Sequence, residues 1–548
     1  MDQTVVAYAV AIAALAVSLP AARRRLQLSL AKHRSLAGHS KMARRVAAWV
    51  PGYAYDDARF FNADQASPET EARRRTGFRR LCNTFDSRFA RSAELTAQAR
   101  GGLSDLQFTS AYRAPFQFSP YLRERLKLGS FLQASEGVTV TDLDGNVFYD
   151  LTGSYGLNVF GCDFYKDCIA EGAALVARLG PVLGAYHPCV AANVERLRAI
   201  SGMEEVSFHM SGTEAVMQAV RLARYHTRRT HLVRFAGAYH GWWDDVQPGP
   251  GNPLPARHTY SLKEMDAGTL RVLSTRRDIA CVLVNPVQAL HPNASPPADS
   301  SLVDGSRSAG FDRAAYTAWL HDLRRVCSER GIVLILDEVM VGFRLARGGA
   351  QEHFGLRADL VTYGKTLGGG LPVGVLCGRR ELMRRFRDDR PADVCLARGT
   401  FNSHPYVMGA MHAFLQRLET PRVRAAYDGL DERWNGRAAR LNAMLAEADL
   451  PVRIAHLSSI WTILYTVPSR YHWMLQFYLR AEGLALSWVG SGRLIFTIDF
   501  PQGDFDEVCR RLVAAAQAMR ADGWWEAEMA SNKAIRRGLL LEMLRQRF

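Results

Sequence analysis

From about residue 130 onward, short apolar runs alternate with stretches whose apolar positions recur every three or four residues. Glu205–Met210, Leu232–Phe235 and Ile332–Val339 are runs of the first kind, and each predicts a strand. After Ser211–Ala215, apolar or small residues at 216, 219, 220 and 223 predict a helix, with Arg221 and Arg224 on its other side. Such alternation predicts a mostly parallel α/β domain. Beyond Pro421, strand-like Ser459–Tyr465 and Leu494–Ile498 precede an amphipathic stretch from Phe505 to Met519, which predicts a smaller C-terminal α/β domain. The stretch from Trp524 to Phe548 is helix-prone and mixed in charge, and no function attaches to it.

The N-terminus has a different pattern. Thr4–Ala22 contains no charged residue, and Arg23–Arg25 follow at once. At about 1.5 Å per residue such a helix spans roughly 28 Å, close to a hydrocarbon core of about 30 Å. Only Asp2 carries charge before the run, and no small-residue cleavage site follows it, which argues against a signal peptide. An Ala-rich helix buried against the body would have the same composition. The basic flank after the run predicts a single-pass anchor in the cell membrane with the catalytic body in the cytoplasm. Residues 23–50 mix basic clusters with Leu26, Leu28, Leu30, Leu36, Val46 and Trp49, a pattern suited to an anionic membrane surface and also to a solvated basic helix. Pro51–Gly102, polar and Arg-rich, reads as a linker or irregular subdomain. The chain therefore divides into an anchor (1–22), a basic juxtamembrane and linker region (23–105), an N-terminal segment of the catalytic fold (106–165), a large domain (166–420) and a small C-terminal domain with tail (421–548).

Charge and cysteines refine this only slightly. The net charge is +15, and residues 21–100 hold 17 Lys/Arg against 7 Asp/Glu, so most of the excess lies in that stretch. No stacking motif or nucleic-acid module accompanies it, so no nucleic-acid partner is expected. The nine cysteines are scattered, without C-x-x-C or a His/Cys metal spacing; free thiols and no metal are expected.

The chemistry concentrates in a few strings. The apolar run Ile332–Leu336 ends in Asp337, and Lys365 follows 28 residues later in Tyr363-Gly364-Lys365-Thr366-Leu367-Gly368-Gly369-Gly370. A lysine can form a Schiff base with the aldehyde of pyridoxal phosphate (PLP), and an acid can keep the pyridine nitrogen protonated so that the ring withdraws electrons. Ser211-Gly212-Thr213 opens a predicted helix, where backbone N–H groups and two hydroxyls favour a phosphate. Tyr239, in Gly237-Ala238-Tyr239-His240-Gly241, is an aromatic on a glycine-flanked turn after a strand, placed to lie on a cofactor ring.

Taken in order, these strings resemble the class III aminotransferases of PLP fold type I, and within them the glutamate-1-semialdehyde aminomutase branch. Asp142-Leu143-Asp144-Gly145-Asn146, Gly153-Ser154-Tyr155-Gly156, Ser211–Ala215, Tyr239-His240-Gly241, Asp337–Arg344, Gly364–Gly374 and Gly399-Thr400 with Pro405 carry the resemblance, over about residues 130–520. It implies a large mostly parallel-sheet domain with a smaller C-terminal α/β domain. Lys365 would be the Schiff-base lysine and Asp337 the pyridinium partner. Tyr239 and Val339 would pack on the two ring faces, with Ser211, Gly212 and Thr213 around the phosphate. Thr400 matches a threonine that reaches the neighbouring subunit's phosphate, which implies a homodimer with shared sites. Tyr155 and Arg113, in Thr109–Ala114, resemble substrate-facing positions. The chain departs from the family at Asn285-Pro286-Val287-Gln288-Ala289-Leu290-His291, at Ser403-His404 and at Gly184–Pro188, which argues against the aminomutase's own substrate.

The leading reading is thus a membrane-tethered PLP-dependent aminotransferase acting between a small amino donor and a carbonyl acceptor, an acyl or lipophilic one if the tether serves the substrate. An intramolecular aminomutase of the glutamate-1-semialdehyde type is the alternative. A non-catalytic membrane-associated scaffold is the third reading, which the joint presence of Lys365, Asp337 and Thr213 argues against.

Overall fold

The computed structural model describes residues 3–293, 309–487, 492–526 and 531–547; Asp2 and Phe548 lie outside them. A seven-stranded sheet forms the centre. Its strand order is Glu205–His209, Gly374–Gly378, Leu360–Gly364, Val333–Asp337, Ile279–Val284, His231–Phe235 and Thr259–Leu262. Gly374–Gly378 runs antiparallel to both its neighbours, while the other pairings are parallel. Strands 279–284, 333–337, 360–364 and 374–378 are buried at every residue, as expected for a sheet covered on both faces. Asp337, Gly364 and Phe235 therefore lie at one end of this sheet, the carboxyl end of its parallel strands.

The C-terminal region forms an antiparallel sheet of Val452–Leu457, Ile460–Tyr465 and Arg493–Ile495, packed against helices Leu430–Glu447 and Gln502–Ala521. A second sheet joins the two ends of the chain. The meander Leu132–Glu136, Thr139–Asp142 and Val147–Asp150 is extended in parallel by Leu484–Ala485. Arg344 ties these parts together. Fully buried, it donates to the carbonyls of Asn158 (2.9 Å) and Phe496 (2.5 Å) and to Ser459 Oγ (2.8 Å), and burial pushes its guanidinium down to about 10.

Residues 51–102, which the sequence presents as a linker or irregular subdomain, fold as helices Asp57–Phe61, Pro68–Arg88 and Ala90–Arg100, and helix Ser104–Ala111 follows. Phe78, Leu81 and Phe85 fall on one face at helical spacing and are buried with Phe60 and Phe89. The dense arginines that hide this periodicity are partly structural. Arg74 is buried and forms a bidentate pair with Asp64 at 2.7 and 2.8 Å, donating also to the Gly523 carbonyl. The C-terminal helix Asn532–Arg547 closes the same layer through Glu542. Its carboxylate meets buried Arg470 at 2.8 Å, Arg59 at 2.6 Å and the Tyr55 hydroxyl, and these partners hold it down at about 2.

The membrane placement is corrected. Among the described residues no helix is long and apolar enough to cross a membrane, so the single-pass anchor and the cell-membrane location inferred from it are withdrawn. The helix covers Gln3–Ala31 and continues through Pro20 and Arg23–Arg25. Eight of the nineteen residues of Thr4–Ala22 are alanine, whose methyl group adds little transfer energy. The far end is docked on protein: Ala31 is fully buried, and its carbonyl accepts the Lys263 N–H at 2.9 Å.

Beyond the edge strand Thr259–Leu262 lies Glu264, 2 % exposed, whose Oε1 accepts the Tyr316 hydroxyl at 2.7 Å while Oε2 has no hydrogen-bond partner. Burial raises its carboxyl to about 8. A carboxyl raised on folding contributes stability that is fully present below its unfolded value and is lost as pH climbs through the folded one. Wild type should therefore lose thermal stability relative to Glu264→Gln between about pH 4.5 and 8, because the amide mimics the protonated acid. Parallel melting curves of the two proteins across this range would show the assignment wrong.

Candidate active site

Asp337 ends its strand with both carboxylate oxygens occupied. Oδ2 lies 2.8 Å from His240 Nδ1, and Oδ1 accepts the Val339 N–H at 3.2 Å and the Thr362 hydroxyl at 3.4 Å. Asp337 and His240 are both buried, so the carboxylate has little freedom to turn. His240 Nε2 is buried without a hydrogen-bond partner.

Lys365 follows strand Leu360–Gly364 in a left-handed conformation, φ 47°, that a non-glycine residue adopts only under constraint. The constraint is local: the next residue, Thr366, bonds through Oγ1 to the Tyr165 hydroxyl at 2.6 Å, and both are buried. Burial lowers the Lys365 ammonium below an ordinary lysine; the Asp337 carboxylate opposes this and Arg344 adds to it. A partly buried amine thus interacts with a fixed carboxylate at the carboxyl end of the sheet.

The phosphate-type turn lies alongside. Ser211 caps helix Gly212–Thr227, its hydroxyl accepting the Glu214 N–H at 3.2 Å, while the Glu214 carboxylate returns to the Met210 N–H at 2.9 Å. The first N–H groups of this helix have no intrahelical acceptor and suit an anion. Close packing brings the turn to the other elements. A Cβ on Gly212 would lie 2.7 Å from Val339 Cγ1, and one on Gly241 would lie 2.5 Å from Thr213 Oγ1. Tyr239 is held through its carbonyl by Asn285 Nδ2 at 2.9 Å; burial first, then Asp337, raises its hydroxyl. Its side chain is 55 % exposed in this single chain.

Ser211, Gly212, Thr213, Tyr239, Asp337, Val339 and Lys365 thus gather into one cluster. Tyr155 stands at its margin. Gly153–Gly156 is a left-handed turn, and a Cβ on Gly156 would lie 3.5 Å from Lys365 Cδ. Two positions lie apart from the cluster. Thr400 is exposed in the irregular stretch before helix Pro405–Arg417. Arg113 packs where its carbonyl accepts Gln476 Nε2 at 3.0 Å, beside helix Leu475–Ala481 of the C-terminal region. His240 was missed as a functional residue although it adjoins Tyr239; a histidine next to the ring-facing aromatic was the available signal. A cavity of about 1200 Å³ lies at the opposite end of the sheet, by Arg229, Val333 and Arg379, and shares no residue with this cluster.

The comparisons agree with the geometry. The family model "Aminotransferase class-III" matches residues 122–457, so the chain belongs to the class III aminotransferases. Within the family it lies near the aminomutase branch. A glutamate-1-semialdehyde 2,1-aminomutase of Geotalea daltonii is 32 % identical over 402 residues, covering 70 % of this chain and 86 % of that one. The same-named enzyme of Nitratidesulfovibrio vulgaris is 35 % identical over 341 residues, covering 61 % and 77 %. A solved transaminase with PLP bound superposes with a TM-score of 0.64 at 26 % identity, over 79 % of this chain and 99 % of that one. The protein is a PLP-dependent transaminase or aminomutase, and PLP is its cofactor. The residues present fit that group: a helix start for the phosphate, an acid for the ring nitrogen and a partly buried amine for the aldehyde.

His240→Ala frees one oxygen of Asp337 and should lower turnover of the PLP-loaded enzyme about ten- to a hundredfold, the worth of a hydrogen bond to a charged group. His240→Asn, which keeps a donor, should recover part of the loss. Equal turnover in all three proteins would remove His240 from the site.

Proposed function

We propose that this enzyme moves an amino group between neighbouring carbons of one small molecule, as an aminomutase of the glutamate-1-semialdehyde type. The observation carrying the amino-transfer reading is the partly buried Lys365 amine set against the fixed Asp337 carboxylate. The aminomutase reading draws its support from the relatives at 32 % and 35 % identity. When bound, PLP supplies the aldehyde that takes up an amine and the ring that withdraws electrons from the carbon losing its proton.

The chain's residues divide the remaining work. Lys365 would hold the cofactor's aldehyde in the resting enzyme. Its Nζ, kept below an ordinary lysine's proton affinity by burial, would move the proton between the substrate carbon and the aldehyde carbon of the cofactor. Asp337, aligned by His240 and the Val339 N–H, holds the charged ring nitrogen. The helix start at Ser211, Gly212 and Thr213 binds the phosphate. Tyr239 and Val339 enclose the ring, excluding water from its faces. Tyr155 faces the substrate side. Thr400, exposed in one chain, serves the phosphate of a second subunit in a homodimer with shared sites.

A second reading, transfer between a separate amino donor and a carbonyl acceptor, is favoured by Asn285–His291. This stretch supports Tyr239 and buries Gln288 and His291 at the end of strand Ile279–Val284, where the sequence departs from the aminomutases. The case for a lipophilic acceptor depended on a membrane anchor and goes with it.

The PLP-loaded enzyme given glutamate-1-semialdehyde alone should release the isomer with its amino group moved from C2 to C1, with no keto acid added. Product that appears only with a separate donor and acceptor would establish the second reading instead. Lys365→Ala should lower turnover at least about a thousandfold and abolish the pyridoxyl label that borohydride fixes on the wild-type chain. A wild-type label mapped to another lysine would reject the assignment.

A further inference from the structure

Far from the Lys365 cluster by sequence and by contacts, helices Ala90–Arg100, Ser104–Ala111 and Ser119–Arg125 meet helix Leu475–Ala481 around a small cleft. Arg100, Arg113, Arg123 and Lys127 wall it, and buried Leu126 and Phe477 form its floor. None of the lining residues is a carboxylate. Elsewhere on this surface arginines are matched by acids, as in Arg80–Asp522 at 2.7 Å and Arg224–Asp245 at 2.7 Å. Here the flanking acid Glu124 is taken by Arg125 at 3.1 Å, and Asp105 lies outside the lining. Arg100 and Lys127 make no ion pair among the described residues.

Two further observations point to a missing anion. Arg100 Nε is buried with no hydrogen-bond partner. Beneath the cleft, Arg480 donates to the Gly129 carbonyl at 3.0 Å, and its guanidinium is pushed down to about 10, by burial first and by the nearness of Arg113 second. Arg100 and Lys127, lining one cleft over an apolar floor with no acid in the lining, attract a counter-charge. The cleft encloses about 30 Å³, room for one compact polar group rather than a chain. Guanidinium groups match tetrahedral oxyanions by paired N–H donation, and several converging cations suit a dianion better than a single carboxylate.

We propose that this cleft binds a small dianionic oxyanion, the phosphate group of a phosphorylated small molecule or free phosphate, at a site separate from that of PLP. The ligand bridges the N-terminal helices to the C-terminal domain, so its occupancy couples to the stability of that junction.

The test uses the full-length enzyme saturated with PLP and titrated calorimetrically with inorganic phosphate, methyl phosphate, acetate and chloride at matched ionic strength. Saturable binding of either phosphate is expected, and the tighter of the two identifies the source. Arg100→Gln and Lys127→Gln should each weaken it about tenfold, with the PLP absorbance and basal turnover unchanged. Lys127 is exposed, so its variant stands as the test if Arg100→Gln fails to fold. Acetate binding as tightly as phosphate would overturn the dianion assignment. Binding equal in wild type and Lys127→Gln, or heats no larger than those of chloride, would show an adventitious ion only and overturn the site.

Discussion

The hydrogen bonds to Asp337 are the constraint on which the site depends. An isolated carboxylate at the end of a fully buried strand would be costly in a dry interior. This one is retained because His240, the Val339 N–H and Thr362 meet it from three directions. The same contacts hold still the carboxylate that interacts with Lys365. The left-handed turn at Lys365 belongs to this arrangement: Tyr165 holds Thr366 and thereby the backbone that aims the amine. Strain at the lysine is offset by burial of its surroundings rather than by any contact of its own.

A second buried charge holds the larger architecture. Arg344, seven residues after Asp337, reaches the segment ending in Asn158, the central domain and the C-terminal sheet through Ser459 and the Phe496 carbonyl. The Gly153–Gly156 turn that passes Lys365 is therefore placed by the same guanidinium that ties on the C-terminal domain.

Much of this was legible in the sequence because parallel strands covered on both faces read as unbroken apolar runs. Ile332–Leu336 before Asp337 is such a run, and the Ser211–Thr213 turn carries its own capping signal in Glu214. What stayed hidden depends on partners distant in sequence. His240 is a residue in a glycine-flanked turn until folding brings it to Asp337, 97 positions on. The helices of residues 57–111 were obscured because Arg74, Arg75 and Arg80 interrupt the apolar period, and their acids lie at Asp64, Asp57 and Asp522. The N-terminal run was misread for the opposite reason. It lacks charge without being strongly apolar, because alanine supplies much of its length, and the helix that contains it docks further on, at Ala31, on Lys263. The motif around Arg113 resembles a substrate-facing segment, and the fold places its carbonyl beside helix Leu475–Ala481 of the C-terminal region.

The central claim is that Asp337, as positioned by its three donors, holds a charged ring nitrogen opposite Lys365. The most direct measurement is the nitrogen-15 chemical shift of ring-labelled PLP bound to the wild-type enzyme and to Asp337→Asn. The account predicts a protonated nitrogen in wild type across neutral pH and an unprotonated one in the variant. An unprotonated ring nitrogen in the wild-type enzyme would contradict it.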